Sequence, residues 1–183
     1  MPGLRQESEH LAPVSGTSFY QAFEEQFRGS RDLVTSRLNA YLPFIEPVRA
    51  LCESPSAVDL GCGRGEWLEL LERNGFRATG VDLDEAFCSF CRRNKLNAIH
   101  ADALSYLEGL PPDSQCVVSA IHVVEHLPFE TLQAIIKQAL RVLRSGGLLI
   151  LESPNPENLI VGTSSFYLDP TCLLYTSPSP RDS

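Results

Sequence analysis

The chain has 183 residues, enough for one domain with a sizeable core and too few for two ordinary ones. Hydrophobic residues make up 43% and charged residues 21%, which excludes wholesale disorder, and no apolar run nears the roughly 20 residues of a spanning helix. The net charge of −8 argues against a broad phosphate-neutralising face, so no nucleic-acid partner is expected. The N-terminus, with Arg5, Glu7 and Glu9, lacks the apolar stretch of a signal peptide, and a cytoplasmic protein with no transmembrane segment is expected.

In chain order, residues 1–16 are polar, with Pro2, Gly3, Pro13 and Gly16, and read as a disordered lead. Residues 17–50 read as N-terminal helices. Apolar side chains recur at helical spacing over Phe19–Phe27 and again at Leu33, Val34, Leu38 and Tyr41, with Gly29-Ser30 between. After Pro55 the pattern alternates between strand and helix, as expected of a parallel sheet covered on both faces. The strands read as Ala57–Leu60, Ala78–Asp82, Ala98–His100, Cys116–Ile121 and Leu148–Leu151, with helices around Glu66–Arg73, Glu85–Lys95, Leu104–Glu108 and Phe129–Leu143. In the last helix Leu132, Ile135, Ile136, Ala139, Leu140 and Leu143 form one apolar stripe.

Six cysteines lie at irregular spacings, at 52, 62, 88, 91, 116 and 172, and are expected to be reduced thiols. Cys88 and Cys91 form a C-x-x-C pair with no second pair to complete a zinc site. From Cys172 onward the string Cys-Leu-Leu-Tyr-Thr-Ser-Pro-Ser-Pro-Arg-Asp resembles one translated frame of a common sequencing adapter, so residues 172–183 are expected to be a non-native tail.

The segment Val58-Asp-Leu-Gly-Cys-Gly-Arg-Gly-Glu66 sets a glycine-rich turn between the first strand and the first helix of the sheet. Backbone without side chains can approach a ligand closely there, beside unpaired helix amides. Asp82 ends the next strand, roughly twenty positions after Gly61, where a carboxylate can accept both hydroxyls of an adenosine ribose. A dinucleotide fingerprint requires a small residue at position 66, which is Glu.

With glycines at 61, 63 and 65 after Asp59, and Val81-Asp82 following, the pattern resembles the class I S-adenosylmethionine-dependent methyltransferases. The resemblance implies an α/β, Rossmann-like fold with a mostly parallel sheet and helices on both faces. It also implies S-adenosylmethionine as cofactor, its amino-acid end at Asp59 and the glycine turn, its ribose at Asp82 and its adenine amino group at Asp102. Leu83, Ala103 and Ser119 complete the residues assigned to it. The family's sheet has two further strands, so residues 51–171 are expected to be an incomplete domain, truncated after the fifth strand, with Leu148–Leu151 as an exposed edge.

After the fourth strand comes Ser119-Ala-Ile-His-Val-Val-Glu-His-Leu-Pro128. Methyl transfer from a sulfonium needs the acceptor held in line and often deprotonated. His122 and His126 are the candidate bases, and in a helical turn Glu125 would share their face. The same string fits an H-x-x-E-H protease pattern, without a distant third ligand. Ubiquinone-pathway and small-RNA-end O-methyltransferases hold a divalent ion with a similar Glu-x-x-Glu-His; here His122 replaces the first Glu, and no metal is assigned. Together with Phe23-Glu-Glu-Gln-Phe-Arg-Gly-Ser-Arg31, Tyr41-Leu-Pro-Phe44 and Leu151-Glu-Ser-Pro-Asn-Pro-Glu-Asn158, these segments resemble the O-antigen chain-terminating methyltransferases. That resemblance covers roughly residues 19–171 and implies O-methylation of a bacterial glycan or related small-molecule acceptor. The rival readings are an NAD-dependent oxidoreductase, opposed by Glu66, and a catalytically inactive cofactor-binding domain. Oligomeric state has no signature in the sequence.

Overall fold

The computed structural model describes residues 29–155 and 172–173. The chain divides into two compact units, Met1–Ser30 and Arg31–Ser183, and the fold below is that of the second. The expected lead, the helix over Phe19–Phe27, the segment 156–171 and all of the tail but Cys172 and Leu173 lie outside the described residues.

Two short helices come first, α1 (Arg31–Leu38) and α2 (Leu42–Ala50), joined by a 3-10 turn at Asn39–Tyr41. Then follow β1 (Ser56–Leu60), α3 (Glu66–Arg73), β2 (Arg77–Asp82), α4 (Glu85–Arg93), β3 (Ala98–His100), α5 (Ala103–Glu108), β4 (Gln115–Ile121), α6 (Phe129–Val142) and β5 (Leu143–Glu152). The sheet order is β3-β2-β1-β4-β5 and every pairing is parallel. The fold is therefore the expected Rossmann-like α/β architecture.

Strands buried on both faces need near-continuous apolar sequence, and β1 and β4 meet that need, with only the first residue of β1 and the last of β4 escaping full burial. On one face, Leu38, Ile45 and Val48 of α1 and α2 pack with Trp67, Leu68 and Leu71 of α3 and Cys88 and Cys91 of α4. On the other, Leu107 of α5 and Ile135, Ala139 and Val142 of α6 cover Val58, Leu60, Val81 and Val118. Leu140 departs from the expected stripe and is 63% exposed. The buried positions 135, 139 and 142 follow the i, i+4, i+7 line, which leaves the next residue round the helix facing outward.

Helix α4 stops at Arg93 rather than Lys95, because Lys95 takes a left-handed conformation (φ +65) that a helix cannot continue. Strand β5 is longer than expected. It begins at Leu143 opposite Gln115, then loses register and resumes at Leu148 opposite Val117, with Gly146 at φ +79 between. One further correction concerns the thiols: Cys52 and Cys116 are joined by a disulfide, their Cα atoms 7.0 Å apart, whereas all six cysteines were expected to be reduced. Cys62, Cys88 and Cys91 are free and buried, and Cys172 is buried as well. The two partners are 64 residues apart in the chain, and the packing of the α2–β1 connection against β4 brings them together.

Candidate active site

The chain runs outward through β1, β2 and β3, then returns to lay β4 on the other side of β1. The crevice at the carboxyl ends of β1 and β4 is thus the topological switch point, where open α/β sheets bind ligands. The glycine turn leaves β1 on one side of it and the His122–His126 segment leaves β4 on the other.

The glycine turn is built from the backbone upward. Gly61, Gly63 and Gly65 have φ of +69, +52 and +78, a left-handed conformation that costs an ordinary L-residue roughly 1–2 kcal/mol. The Gly61 amide donates to the Val81 carbonyl at 2.7 Å. The Gly63 amide donates to Asp82 Oδ2 at 2.8 Å, and the Asp84 amide donates to Asp82 Oδ1 at 2.9 Å. Asp82 therefore pins the turn while standing at the lip of the crevice. A carboxylate has about four acceptor sites, and these two amides fix its orientation.

The next residue, Leu83, is 71% exposed and offers an apolar surface beside that carboxylate. His100 Nε2 sits 2.9 Å from the Leu83 carbonyl, so the β3 end holds this loop. Asp102 is the N-cap of α5, its Oδ1 accepting from the Ser105 amide at 2.9 Å, with Ala103 opening the helix. Asp102 stands on the exposed rim.

Asp59 and Ser119 are placed beneath the site. They pair across β1 and β4, both buried, with Ser119 at 0% exposure. The Ser119 hydroxyl donates to Asp59 Oδ1 at 2.8 Å and in turn accepts from Trp67 Nε1 at 3.0 Å. Ser119 is a support for Asp59 rather than a surface group. Replacing Ser119 with alanine is expected to cost about 1–3 kcal/mol, because a buried carboxylate then loses its hydroxyl donor; urea unfolding measures the loss, and an unchanged midpoint would show the bond contributes nothing.

On the β4 side of the crevice, His122, Glu125 and His126 do converge, though not on a helix. His122 is left-handed, φ +57, and a 3-10 turn spans Val124–His126. His122 Nδ1 lies 3.6 Å and His126 Nε2 3.9 Å from Glu125 Oε1, around a carboxylate that is 5% exposed. Its other oxygen, Oε2, is buried without a hydrogen-bond partner. Two participants carried no local signal in the sequence. Glu152, at the end of β5, lies opposite Ile121 and brings its Oε1 to 3.1 Å from His122 Nε2. The Tyr41 hydroxyl donates to Glu152 Oε2, and burial, with that carboxylate next, pushes the phenol up to about 12. Tyr41 thus stays a neutral donor throughout the physiological range. Among the described residues, no group of three or more His, Cys, Asp or Glu side chains has the arrangement of a metal site.

A family model described as a methyltransferase domain matches residues 58–151, from β1 to the penultimate residue of β5. The chain belongs to the methyltransferase-domain family. The methyltransferase domain is 32% identical over 106 residues to a probable S-adenosylmethionine-dependent methyltransferase of Mycolicibacterium smegmatis, covering 57% of this chain and 40% of that protein. It is 26% identical to a ubiquinone biosynthesis O-methyltransferase of Pseudomonas paraeruginosa, over 72% of this chain and 56% of that protein. The chain thus spans about half the length of these curated relatives. Among solved structures, a SAM-dependent methyltransferase from Archaeoglobus fulgidus superposes with a TM-score of 0.76 at 37% identity, covering 90% of this chain and 70% of that one.

Proposed function

We propose that this domain transfers a methyl group from S-adenosylmethionine to an oxygen of a small-molecule acceptor, and that the acceptor is a hydroxyl of a bacterial glycan. The observation that carries the cofactor reading is the Gly63 amide bonded to the Asp82 carboxylate at 2.8 Å, on a left-handed glycine turn at the switch point of the sheet. The residues present fit the group. Asp82 carries a carboxylate at the lip of the crevice, a group that can accept from ribose hydroxyls, exposed Leu83 suits one face of a purine, and Asp102 on the rim can accept from an exocyclic amine. Asp59 would act on the amino-acid end through the turn it underlies. The name of the Pseudomonas relative favours oxygen as the methylated atom; the glycan rests on the sequence resemblance to the O-antigen enzymes.

When bound, S-adenosylmethionine supplies a methyl group already activated on a sulfonium. What the chain must add is alignment of the acceptor and removal of its proton. His122 is the group we assign to that proton. With Nε2–H donated to Glu152, Nδ1 carries the lone pair, and once protonated it faces Glu125 Oε1 at 3.6 Å. The Glu125 and Glu152 carboxylates flank the imidazole and fix its orientation. His126 and Glu125 position the loop, and Tyr41 orients Glu152.

Calorimetric titration with S-adenosylhomocysteine, with NADH as comparator, tests the cofactor; saturable binding of NADH alone would replace this reading with an oxidoreductase. Methyl transfer from labelled S-adenosylmethionine to hydroxyl-bearing glycans tests the acceptor. His122→Ala is expected to lower turnover about 10²–10⁴-fold, the range for a general base, with S-adenosylhomocysteine affinity unchanged. Equal losses in both would make His122 part of the cofactor cradle instead.

A further inference from the structure

Cys62 lies inside the glycine turn, between Gly61 and Gly63, and Cys91 lies in the last turns of α4. Neither belongs to the machinery proposed above, yet both thiols sit directly beneath it. The Cys91 thiol donates to the Gly63 carbonyl at 3.4 Å, and a Cβ placed on Gly65 would come 2.8 Å from Cys91 Sγ. A Cβ on Gly80 would come 2.6 Å from Cys62 Sγ. Gly63, whose carbonyl the Cys91 thiol reaches, directly follows Cys62 in the chain, so both thiols lie under one turn, and each influences the other's ionisation. The C-x-x-C spacing points to Cys88 as the partner of Cys91, but the Cys88 thiol turns to the Asp82 carbonyl at 3.7 Å. The fold selects Cys62, 29 residues before it (91 − 62).

We propose that Cys62 and Cys91 are an oxidisable dithiol which closes to a disulfide under hydrogen peroxide and thereby lowers the domain's affinity for its cofactor. This rests on the cofactor reading given above. The neighbouring Cys62 thiol and the Arg31 charge hold the Cys91 thiol below its ordinary range, against the opposing effect of burial, while Cys62 itself is raised. The thiolate is the reactive form, so Cys91 is the attacking sulfur. Its sulfur forms a bond to one peroxide oxygen as the O–O bond breaks, giving a sulfenic acid and hydroxide. The Cys62 sulfur then displaces the sulfenic oxygen, the S–S bond forms, and its thiol proton leaves with that oxygen. Two thiols and one peroxide yield one disulfide and two waters.

The consequence is mechanical. Bonded sulfurs lie about 2 Å apart, well inside hydrogen-bond separation. Closure therefore draws Cys62 toward α4 and with it the Gly63 amide that holds Asp82. Both thiols are buried, Cys62 at 6% and Cys91 at 0% exposure, so the reaction proceeds through local opening of the turn and is slower than that of an exposed thiol.

The experiment compares the chain under dithiothreitol with the chain treated with hydrogen peroxide. Peptide mapping identifies the linkage and S-adenosylhomocysteine titration gives the affinity. The expected result is a Cys62–Cys91 crosslinked peptide and an affinity about tenfold lower, restored by dithiothreitol, a coupling of ordinary allosteric size. In Cys91→Ser, whatever its starting affinity, peroxide is expected to leave binding unaltered; this variant keeps Cys52 and Cys116, so any effect of that bridge shows there as well. Cys88→Ser is expected to remain as sensitive as the parent chain. A peptide map without the Cys62–Cys91 linkage, a crosslinked chain of undiminished affinity, or a Cys91→Ser variant as sensitive as the parent would each overturn the proposal. A reduced chain that binds no S-adenosylhomocysteine fails the cofactor reading instead, and the peptide map still decides whether the pair closes.

Discussion

Replacing Asp82 with alanine is expected to weaken S-adenosylhomocysteine binding by about 1.5–3 kcal/mol, the scale for removing a charged hydrogen-bond partner. Two losses combine. The ribose hydroxyls lose their acceptor, and the Gly63 and Asp84 amides, at 2.8 and 2.9 Å from the carboxylate, lose theirs. Asp82→Asn separates the two, because an amide oxygen can keep one backbone donor while the charge is gone. If the charge on the ribose matters most, the asparagine variant binds nearly as weakly as alanine; if turn geometry matters most, it recovers part of the affinity. Calorimetry on all three proteins checks this, and a binding curve unchanged in Asp82→Ala removes the ribose assignment.

The second large effect is on stability. Gly61→Ala places a Cβ 2.3 Å from Val123 Cγ2 at a backbone φ of +69. The left-handed conformation costs an alanine roughly 1–2 kcal/mol, and overpacking against a stiff β-branched neighbour adds about 1–3 kcal/mol. Together these approach the lower end of a domain's total stability, roughly 5–15 kcal/mol. Urea unfolding of Gly61→Ala, Val123→Ala and the double variant isolates the steric share. The double variant is expected to be more stable than the sum of the two single effects predicts. Additive losses would mean that Val123 moves aside at no cost.

The local signals in the sequence were strong where one element meets the next. The boundaries of α3 and β3 are those expected, and β1, β2 and β4 each start one residue earlier. Alternating apolar strands and glycine-terminated helices specify these elements without reference to anything distant. The acid ending β2 and the glycine turn ending β1 were readable for the same reason, since each sits at a fixed offset from a strand. Strand β5 was half hidden because Gly146-Gly147, within it, suits the end of a helix, and the irregular register there breaks the alternation that marks a strand.

What stayed illegible depends on contacts between remote segments. Nothing near Ser119 announces that it supports Asp59 and receives Trp67, and nothing near Glu152 announces His122 and Tyr41. The Cys52–Cys116 bridge and the Cys62–Cys91 contact are of the same kind. Spacing rules made the opposite suggestion in one case, pairing Cys88 with Cys91 along the helix. Convergence of His122, Glu125 and His126 was foreseen through helical periodicity, yet it is a left-handed residue and a tight 3-10 turn that deliver it.

The bond from Tyr41 to Glu152 joins positions 111 residues apart, one before the first strand and the other at the end of the fifth. Such a contact belongs to the late, non-local part of folding, after the intervening loop entropy has been overcome. As the chain leaves the ribosome, β1 to β4 can collapse around their helices while Tyr41 and His122 still await Glu152. The order of synthesis thus separates the two sides of the crevice: the glycine-turn side can form first, and the His122 side, to which we assign the acceptor's proton, is completed only when β5 docks.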